Sequence, residues 1–125
     1  MTVLVSDDDP DIIRFVEVNL HLEGFQVEVA RDGAQALDKA LDLQPDLVLL
    51  DVRMPIIDGF AVCERLRADP RGAAIPVILL TANIPISADF QHAREVGADD
   101  FVVKPFDPGD LMARVRALVQ AGRRR

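Results

Sequence analysis

The chain has 125 residues, half of them hydrophobic and 28% charged, which is the balance of one compact globular domain. Its formal net charge of −7 argues against nucleic acid as the direct partner of this domain. Apolar runs of about five residues are far too short for a membrane span, which needs roughly 20. No basic segment followed by a long apolar one opens the chain, and the single cysteine, Cys63, allows no internal disulfide. We therefore expect a cytoplasmic protein without membrane contact.

Short β-branched runs alternate with helical segments along the whole chain, which predicts repeated βα units around a parallel sheet. The runs Leu47 to Leu50 and Val77 to Leu80 contain no alternating polar residues, so both faces of these strands are expected to be covered. The predicted strands are residues 2–6, 25–30, 46–51, 76–81 and 100–103, and the predicted helices are residues 10–22, 33–43, 58–68, 87–96 and 108–121.

Several helix boundaries are marked by residues with a physical preference for them. Asp9 offers a side-chain acceptor before Pro10, a proline suited to the first helical position. Gly24 and Gly97 are expected to end the first and fourth helices, and Ser87 is the predicted cap of the fourth.

Polar side chains that could serve a phosphoryl group stand at the ends of four predicted strands: Asp7 and Asp8, Asp51, Thr81 and Lys104. The carboxyl ends of parallel strands share one edge of a sheet, so these side chains are expected to converge. Carboxylates about 4 Å apart repel by on the order of 4 kcal/mol per pair at an effective dielectric constant near 20. The cluster therefore needs counter-charges, for which Lys104 and a hard divalent ion such as Mg²⁺ are the candidates.

A carboxylate held between a metal ion and an ammonium group can attack a phosphoryl donor and form an acyl phosphate, and Asp51 is placed for this. Thr81 could donate a hydrogen bond to the phosphoryl group. Each residue also has a plainer interpretation. The acidic run before the first helix could act only as a helix cap, Thr81 could be an ordinary strand residue, and Lys104 could be a surface lysine.

Taken together, the motifs resemble the receiver domain of two-component response regulators, and they occur in that family's order over residues 2–121. They are Val5-Ser6-Asp7-Asp8-Asp9-Pro10, Leu50-Asp51-Val52-Arg53-Met54-Pro55 with Asp58-Gly59, Leu80-Thr81-Ala82, Gly97-Ala98-Asp99-Asp100-Phe101, and Lys104-Pro105-Phe106.

The resemblance implies a flavodoxin-like α/β fold: a doubly wound parallel sheet of five strands in the order 2-1-3-4-5, with helices on both faces. The receiver domain would cover residues 1–121, and residues 122–125 would be a basic tail or the start of a linker. Whether the protein is a free-standing regulator or part of a longer one stays open.

The resemblance also implies a role for each residue of the cluster. Asp51 would accept a phosphoryl group from a histidine kinase or a phosphotransfer protein. Asp7 and Asp8 would hold Mg²⁺ together with Asp51, and the backbone carbonyl of Arg53 would add a ligand. The chain would assist its own phosphorylation and dephosphorylation without turning over a separate substrate.

Further implied roles concern the phosphorylated state. Thr81 and Lys104 would contact the phosphoryl oxygens, and Phe101 would be the switch aromatic that turns inward when Thr81 moves. The surface of helix 4, strand 5 and helix 5 would then be re-presented to a downstream effector domain or protein, or to a second copy of the chain. Arg53 and Asn83 would tune dephosphorylation, and the bond before Pro105 would be cis.

Two departures from the family pattern stand out. Ser6 replaces an apolar residue before the acidic pair, and little effect is expected because its small hydroxyl can bond locally. The segment 83–87 is predicted to be a loop about one residue longer than the family's usual one, which leaves the start of helix 4 open between neighbouring positions.

Three other functions share some of these features. A Mg²⁺-dependent phosphatase working through an aspartyl phosphate would want a general acid where Arg53 stands, and an inserted cap. A flavin-binding electron carrier would want a hydroxyl- and glycine-rich loop after the first strand, where this chain is acidic. A scaffold that is never phosphorylated would have no use for the full set of polar residues.

Overall fold

The computed structural model describes residues 1–81 and 87–122, with side chains from residue 91 in the second range. In these two ranges five strands and five helices alternate, and their bounds lie within about one residue of the predicted ones. The strands are β1 Thr2–Ser6, β2 Gln26–Ala30, β3 Leu47–Asp51, β4 Val77–Thr81 and β5 Asp100–Val103. The helices are α1 Pro10–Leu22, α2 Gly33–Leu43, α3 Gly59–Ala68, α4 Ser87–Glu95 and α5 Pro108–Ala121.

The strands form one parallel sheet in the order β2-β1-β3-β4-β5, which confirms the predicted α/β fold and strand order. Every residue of β3 and β4 is buried, so both faces of these strands are covered as expected. Successive side chains of a strand point to opposite faces. Accordingly, Leu50 and Leu79 belong to one apolar cluster, whereas Leu49 and Ile78 belong to the other. Within the two described ranges, no helix is long and apolar enough to cross a membrane.

Aspartate side chains cap the first turn of α1, α2, α3 and α5, and each accepts a hydrogen bond from a backbone N–H of its helix. Asp9 is one of them, as predicted. Gly24 and Gly97 adopt positive φ values of 91° and 87° after α1 and α4, a conformation that favours glycine at helix ends. Ser87 is the first residue of α4, and its side chain lies outside the described part of the chain, so the predicted cap there is not tested.

One arginine ties several elements together at the amino-terminal edge of the sheet. The Arg67 guanidinium, from α3, donates to the carbonyl oxygens of Gly97 and Ile75 and to the carboxylate of Asp99 at 3.0 Å. The same carboxylate accepts from the backbone N–H of Val77 at 2.8 Å, where β4 begins. These contacts stabilise the edge opposite the acidic cluster and give Asp99 a structural role.

Candidate functional site

The ends of β1, β3 and β5 bring three charged side chains together at the carboxyl edge of the sheet. The ammonium group of Lys104 lies 2.7 Å from Oδ2 of Asp7 and 3.3 Å from Oδ1 of Asp51. Asp7 and Lys104 are 97 positions apart in sequence. All three side chains are largely shielded from solvent, with exposed fractions of 1% for Asp7, 7% for Asp51 and 12% for Lys104.

The acidic residues form a cluster whose donor atoms suit a hard divalent cation. Three carboxylate oxygens lie within 4.8 Å of one another, one each from Asp7, Asp8 and Asp51. Oδ1 of Asp7 already accepts the N–H of Asp9, and Oδ2 accepts from Lys104, whereas Asp8 is exposed. Three carboxylates against one ammonium leave two negative charges, so an all-oxygen donor set with this charge fits Mg²⁺.

The electrostatics of Asp51 reflect burial next to a like charge. Desolvation, followed by the negative charge of Asp7, raises the pKa of Asp51 from 3.8 to about 6. Lys104 and a hydrogen bond from the backbone N–H of Arg53 act in the opposite direction and keep the shift from being larger. Asp51 is therefore mainly ionised at neutral pH, and burial beside Asp7 disfavours its ionised form.

Lys104 stays protonated in this setting. Burial lowers the pKa of its ammonium group, but the hydrogen bond to Asp7 and the charges of both carboxylates together outweigh burial and raise it. The site thus contains one permanent positive charge next to the carboxylate of Asp51.

Thr81 and Phe101 line the same cleft beside the acidic cluster. This cleft has a volume of about 580 Å³, and Asp8 and Arg53 also line it. Thr81 is 7% exposed and ends β4, while the backbone N–H of Lys104 donates to its carbonyl oxygen at 2.6 Å. The end of β4 and the aromatic ring on β5 therefore border the same cleft.

The loop between β3 and α3 is held close to Asp51 on both sides. The N–H of Gly59 donates to the carbonyl of Val52 at 2.8 Å, and the N–H of Gly33 donates to that of Pro55. A Cβ atom at Gly59 would lie 2.4 Å from the carbonyl oxygen of Asp51, so only glycine allows α3 to start this close. This close approach gives a physical reason for glycine at that position of the motif.

Ser6 bonds to a residue distant in sequence rather than locally. Its hydroxyl is fully buried at the end of β1 and donates to the thioether sulfur of Met54 at 2.9 Å, across 48 positions of sequence. The strand neighbours of Ser6 are Ala30 and Leu50, whose side chains offer no acceptor. A serine within an apolar strand was the available sequence signal, but its partner could not be read from the chain.

The remaining predicted residues are placed as follows. Arg53 is exposed at the rim of the cleft, and the Lys104–Pro105 peptide bond is cis. Asn83 lies outside the described residues, as do residues 123–125 of the expected tail. The sequence did not point to Asp58 and Phe60 as residues that line the cleft, because Asp58 caps α3 and Phe60 lies in its first turn, like many capping or packing residues.

Comparison with known proteins gives a consistent picture. The family model of the response regulator receiver domain matches residues 3–116. The DNA-binding dual master transcriptional regulator RpaA of Synechocystis sp. is 48% identical over 118 residues, which cover 94% of this chain and 48% of RpaA. The DNA-binding response regulator MtrA of Mycolicibacterium smegmatis is 46% identical over 92% of this chain and 49% of MtrA. The chain thus spans about half the length of these relatives.

A solved structure gives a similar match in three dimensions. The receiver domain of sensor histidine kinase PA1611 from Pseudomonas aeruginosa PAO1 superposes with a TM-score of 0.87 and 29% sequence identity. The match covers 95% of this chain and 97% of that one, and that structure is described with a magnesium ion coordinated in its active site cleft.

Proposed function

The chain belongs to the response regulator receiver domain family of two-component systems, and on this basis we propose that it is a switch controlled by phosphorylation of Asp51. The observation that carries the proposal is the Lys104 ammonium, held between Asp7 and Asp51 beside the exposed carboxylate of Asp8. The carboxylates of this arrangement repel one another, and a bound cation relieves that repulsion. The cation and Lys104 can then neutralise the oxygens of a transferring phosphoryl group.

In the proposed reaction, one carboxylate oxygen of Asp51 attacks the phosphorus atom of a donor, either a phosphohistidine or a small acyl phosphate. A phosphorus–oxygen bond to Asp51 forms while the bond from phosphorus to the donor breaks, and the donor keeps the electron pair. Lys104 remains protonated and neutralises the phosphoryl oxygens, and Thr81 donates a hydrogen bond to one of them. Hydrolysis of the acyl phosphate, tuned by Arg53 and Asn83, returns the carboxylate.

Asp7, Asp8, Asp51 and the backbone carbonyl of Arg53 are the proposed ligands of Mg²⁺, with water completing its shell. When bound, the ion neutralises negative charge on the transferring phosphoryl oxygens. The matched kinase receiver domain described with magnesium supports this assignment.

The proposed change of the output surface depends on the charge of the phosphoryl group and on the cleft at the carboxyl edge of the sheet. A phosphoryl group adds about −1.5 to −2 charge beside Thr81, which lines the same cleft as Phe101. Movement of Thr81 toward the phosphate would let Phe101 turn inward and re-present the surface of α4, β5 and α5. A shift between two such states needs only a few kcal/mol of differential interaction.

The proposed partners are a sensor histidine kinase or phosphotransfer protein upstream and an effector domain or protein downstream. The relatives RpaA and MtrA are named as DNA-binding, and their greater length is consistent with an effector outside the matched half. With its net charge of −7, this domain itself is proposed not to bind nucleic acid. We place its action in the cytoplasm, and we take the domain to end with α5, leaving residues 122–125 as tail or linker.

Phosphorylation can be tested with the purified chain and a small donor. Incubation with acetyl phosphate and Mg²⁺ is expected to add one phosphoryl group by intact mass, and chelation of Mg²⁺ should abolish it. Asp51→Asn should show no adduct because its neutral amide cannot replace the carboxylate as the nucleophile. Asp58→Asn is the matched control, since Asp58 lines the same cleft but only caps α3, and it should be modified like the wild type.

Two outcomes would contradict the proposal. Absence of an adduct from both acetyl phosphate and a phosphohistidine donor would favour the unphosphorylated scaffold. Bulk turnover of a phosphomonoester would favour the phosphatase instead.

Phosphorylation is also expected to promote a homodimer through the α4-β5-α5 surface. Arg114 on α5 already bonds to Asp100 of β5 at 2.8 Å and to Asp110 at 3.1 Å, so charged groups that could re-pair across an interface lie on this surface. Sedimentation with Mg²⁺ and beryllofluoride, a mimic of the phosphoryl group, should raise the mass of the wild type and leave Asp51→Asn unchanged. Identical masses with and without the mimic would refute the dimer.

A further inference from the structure

The buried hydroxyl of Ser6 has no place in the proposed chemistry. Among the described side chains, four polar or charged residues are buried: Ser6, Asp7, Asp51 and Thr81. The last three have proposed roles at the phosphoryl site. A buried hydroxyl requires a partner, and Ser6 finds it in a thioether, which is a weak acceptor on a flexible side chain.

Met54 directly follows Arg53, the residue whose backbone lies beside Asp51. The backbone N–H of Arg53 faces the carboxylate of Asp51 and lowers its pKa, and the carbonyl of Arg53 is a proposed Mg²⁺ ligand. On one side, Val52 is held by hydrogen bonds to Leu80 and Gly59, at 2.8 Å each. On the other side, the side chain of Met54 is held by Ser6.

Arg53 itself is exposed, so its own side chain does not anchor this peptide in the core. The backbone position of Arg53 therefore depends on the anchors that bracket it. Because Ser6 ends the strand that leads directly into Asp7, the same bond links the loop of β3 to the strand that carries the other buried acid.

We propose that Ser6 is a positioning residue. Its hydrogen bond to Met54 holds the backbone of Arg53 so that the N–H faces Asp51 and the carbonyl can reach a divalent cation. The proposal rests on the proposed function only in naming Mg²⁺ as that cation. Groups that orient metal ligands commonly change metal affinity by about 10- to 100-fold when removed, and a bond to sulfur belongs at the lower end of that range.

The test is a Mg²⁺ titration by calorimetry of four proteins: wild type, Ser6→Ala, Met54→Leu and the double variant. Each single variant removes the same bond with little change in volume, so each should bind Mg²⁺ about tenfold more weakly. The double variant should be no weaker than either single one, because the bond can be lost only once. Ser6→Thr, which keeps the hydroxyl, should restore the affinity.

A second measurement, made on the metal-free protein, distinguishes a displaced Arg53 backbone from a general loss of stability. The backbone amide resonance of Arg53 should shift in Ser6→Ala and in Met54→Leu. It should stay in place in Val3→Ala, a buried β1 variant far from the loop that lowers stability without touching the bond.

Wild-type Mg²⁺ affinity in Ser6→Ala, or additive losses in the double variant, would overturn the proposal. If the wild type itself bound no Mg²⁺, the proposed function would fail. The position of the Arg53 amide would then decide the role of Ser6: an unmoved resonance in Ser6→Ala would overturn it, and a shifted one would support it.

Discussion

Lys104→Met is expected to lower the free energy of unfolding by about 3 to 5 kcal/mol at neutral pH in metal-free buffer. Methionine keeps most of the apolar stem but removes the ammonium group that lies 2.7 Å from Asp7 and 3.3 Å from Asp51. Both carboxylates are buried, so losing their shared counter-charge leaves two like charges in a poorly solvated place. This is the largest loss of stability that we expect from a single substitution at the site.

The pH dependence of that loss has a definite sign. Without the ammonium group, the pKa of Asp51 should rise further, so the folded variant binds protons more tightly than the unfolded chain. Stability of Lys104→Met should therefore recover as the pH falls toward 5 and decline as it rises. Mg²⁺ should also restore part of the loss, because it supplies the missing positive charge.

Urea unfolding followed by circular dichroism at pH 5 and pH 8 measures this directly, and the chain has no tryptophan or tyrosine to follow by fluorescence. Lys39→Met is the matched control. Lys39 donates to the backbone carbonyl of Val29 rather than to a carboxylate, so its removal should cost only about 1 kcal/mol. Equal losses in the two variants at both pH values would show that Lys104 does not neutralise a buried acidic pair.

Asp51→Asn is expected to do the opposite and raise the free energy of unfolding of the metal-free protein by about 2 kcal/mol at pH 8. A pKa raised from 3.8 to about 6 corresponds to about 3 kcal/mol of penalty on the ionised form, at 1.36 kcal/mol per unit. The amide keeps the shape of the carboxylate without its charge, and the weaker contact with Lys104 offsets part of the gain.

The gain should develop between the unfolded-state and folded-state pKa values of Asp51 and persist at higher pH. A carboxyl group with a raised folded-state pKa is protonated in both states below about pH 4, so it carries no penalty there. Between about pH 4 and 6 the wild type should lose stability relative to Asp51→Asn, and above that range the difference should be constant. Mg²⁺ should close the gap by binding the wild type more tightly than the variant.

Thermal unfolding of both proteins from pH 4 to 8, with Mg²⁺ and with a chelator, provides the measurement. Asp58→Asn serves as the control because Asp58 is an exposed cap, and its curve should run parallel to that of the wild type. A wild type and Asp51→Asn that also ran parallel in metal-free buffer would mean that Asp51 carries no buried charge penalty.

Much of this architecture could be predicted because it follows from local rules. Apolar runs without alternation, such as β3 and β4, need cover on both faces, and short connections between such strands and helices leave few topologies. The convergence of Asp7, Asp51 and Lys104 follows from the shared carboxyl edge of a parallel sheet. These inferences use only the order and spacing of residues.

Contacts that depend on strand register and on neighbouring strands could not be predicted from the order and spacing of residues. Which carboxylate Lys104 contacts, and that it contacts both, depends on distances of a few ångströms at the sheet edge. The partner of Ser6 lies 48 positions away, and no local pattern distinguishes Met54 from any other buried methionine. The ties from Arg67 to Gly97 and Asp99 likewise join elements that only the packed sheet brings together.

The sequence by itself determined the order of the elements, the edge of the sheet that carries the candidate site and the types of residue found there. Hydrophobic periodicity and the position of a residue at a strand end can be read from the sequence, because neither depends on the details of packing. Only the tertiary structure decided the charge balance of the site and the anchoring of its loop. Those depend on burial and on hydrogen-bond geometry, whose energies change over less than an ångström.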